Sequence, residues 1–308
     1  MSGLPAVSLN FSRVTMPTQS RGHCTEKPVL GAKLRHYPLV ALLAFAFASV
    51  RASEPMTDAD RVNLERNLRW MLERERALSP TPSNARVGVY ADAGVWNVGA
   101  KSIVDLLEGE GVACRVLDRS RLTEKELNGL ETLVLPGGWA PLQRDGAGAN
   151  GLAAIEAFVK RGGRCIGICA GAYLLSKTVR YDEREYPYPL GLFDGTAVGP
   201  VPKLAAFPKP GSAKWTATDA GKKIGLDAFG EIEIYYSGGP CFVGGTDATV
   251  LARYHDGSAA AISKPIGKGD IVLLGAHLER PPPPHDDESA APKFAGKVFK
   301  ALVKGKVP

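Results

Sequence analysis

Arg164-Cys165-Ile166-Gly167-Ile168-Cys169-Ala170-Gly171-Ala172-Tyr173 is the stretch whose reading decides the fold. Residues 164–168 form a short apolar run bounded upstream by Gly162-Gly163, the pattern of a buried strand, and a helix starts at Ala170. The same strand-then-helix texture repeats upstream. Arg86–Tyr90 reads as a strand, Gly99–Glu108 as a helix with Ile103, Leu106 and Leu107 inward, and Ala113–Leu117 as a second strand. Thr132–Leu135 is a third strand, stopped by Pro136-Gly137-Gly138, and Leu152–Arg161 is a helix. Strands alternating with helices predict a parallel sheet covered on both faces, with ligands at the carboxyl ends of its strands. After Pro187 short strands dominate: Glu231–Tyr236, Phe242-Val243, Thr249–Tyr254, Ala259–Ser263 and Asp270–Leu274. They are expected to be antiparallel additions to the sheet. Pro281–Pro284 with His285-Asp286-Asp287-Glu288 is expected to be a surface loop and Lys293–Val303 a closing helix. The expected class is α/β, a doubly wound, mostly parallel sheet with antiparallel additions, forming one domain over 85–308.

Two segments precede that domain. Residues 57–78 read as a helix capped by Thr57 with Asp60 at the capping-box position, and Val62, Leu64, Leu68, Met71 and Leu72 recur at helical spacing. Ser79-Pro80-Thr81-Pro82-Ser83 then breaks it, making 53–84 a helical extension with a linker. Residues 1–52 carry six basic residues against the single acid Glu26, so +5 of the chain's net +6 sits there. Within them Lys33-Leu34-Arg35 leads into the ten-residue apolar run Leu39–Ala48 and then Ser49-Val50-Arg51-Ala52. That is the pattern of a secretory signal cleaved near Ala52, and the run is too short for a membrane span of about 20 apolar residues. The basic part is longer than such leaders need, so an internal start such as Met16 is an alternative. A periplasmic or secreted protein starting near Ser53 is expected.

With the leader set aside, the remaining 256 residues are nearly neutral and carry no Lys/Arg-rich stripe, which argues against nucleic acid as a partner. Five cysteines in 308 residues exclude a disulfide-built scaffold, and no Cys/His spacing fits a zinc site, so neither metal nor cofactor is expected. Cys114 and Cys165 fall on strands read as neighbours. A disulfide between them is one option, two small core residues the stronger one.

The chemistry concentrates at Gly167-Ile168-Cys169-Ala170-Gly171, a nucleophile-elbow pattern with Cys in place of Ser. A tight strand-to-helix turn exposes the thiol at a helix N-terminus, where thiolate is favoured. The Ala170 N–H points where an oxyanion would form, and Gly138, in the turn after the third strand, is a candidate second donor. A Cys nucleophile needs a base. His255 reads as a turn residue and His285 as a loop residue, whereas His277 follows the apolar strand 271–274 on the same edge as the elbow. Glu279 lies two residues on, on the same side of an extended segment, suited to orient the imidazole. Candidate pocket walls come from loops around Trp139, Gln143-Arg144-Asp145, Arg184 and Tyr235-Tyr236.

On these residues the chain resembles the class I glutamine amidotransferase-like superfamily, in which a Cys elbow and a late His-x-Glu form a triad. More narrowly it resembles the biotin–protein ligase N-terminal domain family, through Leu135-Pro136-Gly137-Gly138, Gly162-Gly163, Gly167–Tyr173, Tyr235-Tyr236-Ser237-Gly238-Gly239-Pro240 and Gly275-Ala276-His277-Leu278-Glu279. The resemblance spans 85–280. It implies a flavodoxin-like sheet and, by position, a triad of Cys169, His277 and Glu279. Amidotransferases that use glutamine carry Cys-x-Gly-x-Gln. Here that last position is Tyr173, which counts against glutamine hydrolysis and makes Tyr173 a candidate substrate contact with Trp139 and Tyr236. No Gly-Arg-Gly-Arg-type biotinyl-adenylate loop is found, so a biotin ligase is not expected. The expected activity is a Cys-nucleophile hydrolase or acyl/amidotransferase acting on an amide or ester of a small molecule or peptide. The alternative is a non-catalytic binding or scaffold domain that retains a relic triad.

Overall fold

The computed structural model describes residues 56–77, 84–226, 230–284 and 291–305. Residues 1–52, read as a leader, residues 79–83, read as a linker, and His285 to Glu288 lie outside them. All described residues belong to one unit, Pro38–Pro308.

Four short strands, β1 (Val87–Tyr90), β2 (Cys114–Leu117), β3 (Thr132–Leu135) and β4 (Arg164–Ile168), pair in parallel in the order β2-β1-β3-β4. The fifth core strand comes from the far end of the chain: β13 (Gly269–Leu274) lies parallel to β4. Counting it as the fifth gives the order 2-1-3-4-5, that of flavodoxin-like folds. These strands are buried on both faces, and their sequences are accordingly continuous apolar runs rather than alternating ones. Helix α2 (Asn97–Gly109) connects β1 to β2, the short α3 (Glu124–Leu127) lies between β2 and β3, and α4 (Ala140–Lys160) connects β3 to β4. The α2 and α4 crossovers run in opposite directions along the sheet, so right-handed connections put them on opposite faces. Helix α4 begins twelve residues before the expected 152. Gly148, at φ 62, carries the chain through a kink that joins two helical segments, and its glycines hid the first of them.

The antiparallel additions grow from β12 (Ala259–Ile266), which pairs with β13. One branch runs through β10 (Cys241–Val243) and β7 (Phe193–Gly199) to β5 (Ser176–Tyr181), which departs from the expected pattern by lying parallel to β7, and on to its antiparallel hairpin partner β6 (Arg184–Pro187). The other runs through β11 (Thr249–Tyr254) and β8 (Gly211–Ala217) to β9 (Ile232–Tyr236). Strands β5 to β8 were not anticipated, because they alternate exposed polar residues with few apolar ones. A short helix, α5 (Ala170–Leu175), follows β4, and another, α6 (Asp219–Lys223), lies between β8 and β9.

Helices seal the ends. In α7 (Lys293–Lys304), Ala295, Val298, Phe299 and Leu302 are fully buried, the i, i+3, i+4, i+7 spacing of an amphipathic helix. Arg164 grips both carboxylate oxygens of Asp270 at 2.5 and 2.8 Å and donates to the Leu302 carbonyl, tying β4, β13 and α7 together at the end of the sheet opposite the site. In α1 (Asp58–Ala77) the capping box forms as read: the Thr57 N–H donates to Asp60 and the Asp60 N–H to Thr57 Oγ1. Its buried face is Leu64, Asn67, Leu68 and Met71, while Val62 is exposed on the opposite face of the helix. Pro281, expected on the surface, is buried. Cys114 and Cys165 are not on neighbouring strands. Strands β1 and β3 stand between them, and the four described cysteines are free thiols. Burial pushes the thiols of Cys114, to about 12, and Cys165 upward, as expected of core residues.

The turn after β1 is built on a buried ion pair. Asp92 accepts from the backbone N–H groups of Ala93 (2.6 Å) and Arg119 (2.7 Å) and from the Arg119 guanidinium at 2.6 and 2.9 Å. Asn67 of α1 donates to the carbonyl of Val95 at 3.0 Å and thereby clamps the same turn. Asp92→Ala strands the Arg119 cation and two N–H groups. It is expected to lower the unfolding free energy by about 3 kcal/mol or more in urea titrations, and an effect under about 1 kcal/mol would contradict this account.

Candidate functional site

The site lies where β3, β4 and β13 end. Cys169 stands between β4 and α5 at φ 49, ψ −102, a strained conformation for a residue with a Cβ. Its own N–H donates to the carbonyl of Leu274 at 2.8 Å, and its carbonyl accepts from Tyr173 N–H at 3.0 Å, so the turn is held from both sides. Gly171 is required here: a Cβ would lie 2.1 Å from the Leu135 carbonyl oxygen, so any other residue would push α5 off β3. Cys169 is nearly buried. Its sulfur lies 3.9 Å from the Ser237 carbonyl, and it opens onto a cavity of about 260 Å³.

His277 stands three residues past β13. Its N–H donates to the carbonyl of Tyr235 at 2.9 Å, an isolated antiparallel bridge that draws the end of β9 over the sheet edge. Imidazole Nδ1 is 2.7 Å from Glu279 Oε1, and both side chains are buried, at 2% and 0% exposure. The Cys169 side chain lies close enough to act on the imidazole electrostatically. Burial alone pushes the imidazole toward the neutral form. The Glu279 carboxylate and the Cys169 side chain outweigh it and raise the pKa from 6.5 to about 10. Backbone packing leaves the ring little freedom, since a Cβ on Gly137 would fall 2.3 Å from its Cε1. The structure thus brings together Cys169, His277 and Glu279, 108 to 110 residues apart in sequence.

Around the His277 ring stand Trp96 and Tyr235, each edge-on with centroids at 5.7 Å. Arg280, itself 1% exposed, stacks its guanidinium over the same two rings, 4.7 Å from Trp96 and 5.5 Å from Tyr235. Sequence reasoning missed Trp96 and Arg280. The Arg280 position after Glu279 gave no local signal, because a surface role is the ordinary expectation for arginine.

The turns carrying the expected oxyanion donors both border the cavity. Trp96 N–H donates to the Gly137 carbonyl and Trp139 N–H to that of Gly94, so the bridge between Val95 and Gly138 leaves the N–H of Gly138 outside both bonds. Ala170 opens α5, where a first-turn N–H has no intrahelical acceptor. Gln143 is buried and holds this turn by donating to the Pro136 carbonyl at 2.9 Å. It does not face the cavity.

Trp139 and Tyr173 line the cavity as expected, and the Tyr173 hydroxyl donates to the Gly238 carbonyl at 3.0 Å. Tyr236 does not. Successive residues of β9 face opposite ways, so Tyr235 takes the His277 side and Tyr236 is fully buried behind it. The Tyr236 hydroxyl donates to the Gly239 carbonyl at 2.7 Å and accepts from Val201 N–H at 2.6 Å, bracing the loop that carries Ser237 and Gly238. Arg184 is exposed on β6 and lies off the cavity, and His255 is exposed in its turn. The cavity is completed by Tyr181, Tyr186, Tyr188 and Phe207. The cluster Tyr181…Tyr186-Pro187-Tyr188 is visible in the sequence as a local density of rings, whereas Phe207 had no signal. Among the described residues no three His, Cys, Asp or Glu side chains converge as metal ligands, and no helix is long and apolar enough to cross a membrane.

Residues 89–306 match the profile of the family described as "Biotin-protein ligase, N terminal", and the chain belongs to this family. It is 31% identical over 188 residues to a biotin–protein ligase of Schizosaccharomyces pombe, covering 54% of this chain and 28% of that relative's length. It is 32% identical over 218 residues to an uncharacterized protein of Chlamydia muridarum, covering 63% of this chain and 80% of that one. Among solved structures, a glutamine amidotransferase covers 70% of this chain and 98% of its own, at 18% identity and a TM-score of 0.48.

The raised imidazole pKa makes a signed prediction. Imidazolium held by Glu279 stabilises the fold fully below pH 6.5, and that contribution is lost as pH rises through about 10. In Glu279→Gln the His277 titration, followed by imidazole NMR, should move down toward 6.5, and unfolding free energy should fall less between pH 6.5 and 10 than in the wild type. An unchanged titration midpoint would show that Glu279 does not hold the charge.

Proposed function

We propose that this member of the biotin–protein ligase N-terminal family is an exported Cys-nucleophile hydrolase or acyl transferase acting on an amide or ester. The grouping of Cys169 with the His277–Glu279 pair, hydrogen-bonded at 2.7 Å, beside a cavity at the strand ends carries the reading. The imidazole takes the thiol proton and stays charged against Glu279. The sulfur then attacks the acyl carbon. The C–S bond forms, and the carbonyl pair moves onto oxygen, where the N–H groups of Gly138 and Ala170 are the proposed donors. The pair returns, the C–N or C–O bond breaks, and the leaving group departs with the proton from imidazolium. Water, or an acceptor amine, gives a proton back to His277 as it attacks the thioester, releasing the acyl product and restoring the thiol. Glutamine is not the proposed substrate, because Tyr173 stands where glutamine users carry Gln.

A non-catalytic binding domain is the second reading. It is favoured by the tie of the Tyr173 hydroxyl to Gly238, which makes this side chain a structural element of the wall. The two readings part at one residue. With iodoacetamide at pH 7, Cys169 should be labelled at least about tenfold faster than Cys114, Cys165 and Cys241, and Cys169→Ala should remove turnover of an amide or thioester panel by a factor of about 10³ or more. Slow, equal labelling at all four thiols sinks the enzyme reading.

Export is proposed from the Lys33–Ala52 pattern. Amino-terminal sequencing of protein recovered from the periplasm or medium should begin at or near Ser53. Recovery of an unprocessed chain from the cytoplasm alone would refute it.

A further inference from the structure

The cavity in front of Cys169 is walled by rings. Trp139, Tyr173, Tyr181, Tyr186, Tyr188 and Phe207 all line it. Tyr181 is the hub, edge-on to Tyr173 at 5.8 Å, to Phe207 at 6.0 Å and to Trp139 at 6.3 Å. Trp139, Tyr186 and Phe207 are 40%, 43% and 44% exposed, so the apolar lining continues to the mouth instead of ending in a polar rim. Rings that already pack edge-to-face can take a further flat ring into the same arrangement, which suits an aryl guest.

The charges exclude the alternatives. Among the described residues that line the cavity there is no carboxylate, and the one cation is Arg144. Its guanidinium stacks 5.6 Å over Tyr188, and its Nε lies 2.8 Å from Asp145 Oδ1. An ammonium group entering here meets a like charge and no counter-ion. A zwitterion such as glutamine loses hydration at both ends and finds one charged side chain among the lining residues, already engaged by Asp145. The phenols of Tyr181 and Tyr173 stay neutral, since burial drives the ionisation of Tyr181 up to about 12 and pushes that of Tyr173 well upward. A polar pocket matched to an amino acid head is therefore not what this wall offers.

We propose that the cavity binds an uncharged aryl-bearing acyl group and presents its carbonyl to Cys169. The proposal rests on the reading of Cys169 as nucleophile for the second half of that statement only. The aryl site itself stands on the wall.

The test uses the full chain carrying Cys169→Ala, which binds without turnover, and four probes followed by ligand-observed NMR titration. These are N-acetyl-L-phenylalaninamide, N-acetyl-L-alaninamide, L-glutamine and 2-phenylethylammonium. The phenylalaninamide should bind at least about tenfold tighter than each of the other three. Phe207→Ala, a change at an exposed loop residue that leaves folding intact, should weaken it about threefold or more with little effect on the alaninamide. In the wild type the same probe should slow iodoacetamide labelling of Cys169. Equal binding of the two acetylated amides, or tightest binding of glutamine or of phenylethylammonium, overturns the aryl site whatever the labelling shows. If the aryl preference holds while the wild type leaves N-acetyl-phenylalanine p-nitroanilide intact, the aryl site stands and the hydrolase reading fails.

Discussion

The parallel register of β13 against β4 is the constraint from which the rest follows. Leu274 lies level with Ile168, so both strands leave the sheet at the same height. Residue 169 then turns into α5 while 275–279 run on along the edge. The Cys169 N–H donating to the Leu274 carbonyl extends the pairing by one step past the strands themselves. A slip of two residues would keep the apolar pattern and still separate the thiol from the imidazole by about 7 Å. The Arg164–Asp270 pair, at the other end of the same two strands, is the group that fixes the register from behind.

Burial sets the electrical character of the site. A carboxylate and an imidazole that are both almost inaccessible are costly to leave unpaired, and here each answers the other at 2.7 Å. The aromatic faces of Trp96 and Tyr235 complete the enclosure, and a second cation, Arg280, sits over the same rings within the low-dielectric layer. Two cationic side chains and one carboxylate are thus packed together behind the strand ends, all nearly inaccessible to solvent. The strained backbone of Cys169 belongs to the same arrangement, since a relaxed residue at that turn would not aim its side chain at the ring.

Much of this was readable from residue order because it is local. A strand, an apex residue between glycines and a helix start lie within ten positions, and His-x-Glu after an apolar strand lies within nine. What the sequence could not supply is anything decided by pairing between distant strands. Cys114 and Cys165 read as neighbours because their strands follow similar helices, yet two strands separate them. Tyr235 and Tyr236 are indistinguishable as letters, and only the pleat decides which one meets His277. Strands β5 and β6 were missed because they form an exposed hairpin on the outermost edge, where residues such as Lys177, Arg180 and Glu185 meet water and the apolar signature disappears. The first half of α4 was hidden by glycines that serve its kink.

The division of the sheet at β12 has an evolutionary reading. The branch through β9 carries Tyr235 to the imidazole, whereas the branch through β10 and β7 ends in the β5–β6 hairpin, whose rings form much of the cavity wall. The imidazole and much of the recognition surface therefore hang from separate limbs of one framework, while α5 links the thiol directly to β5. Lengthening the hairpin or exchanging its aromatic residues changes what fits in front of the sulfur without moving the strands that bring sulfur and imidazole together. A lineage built on this plan can trade one guest for another by small edits at a sheet edge while inheriting its reaction centre intact.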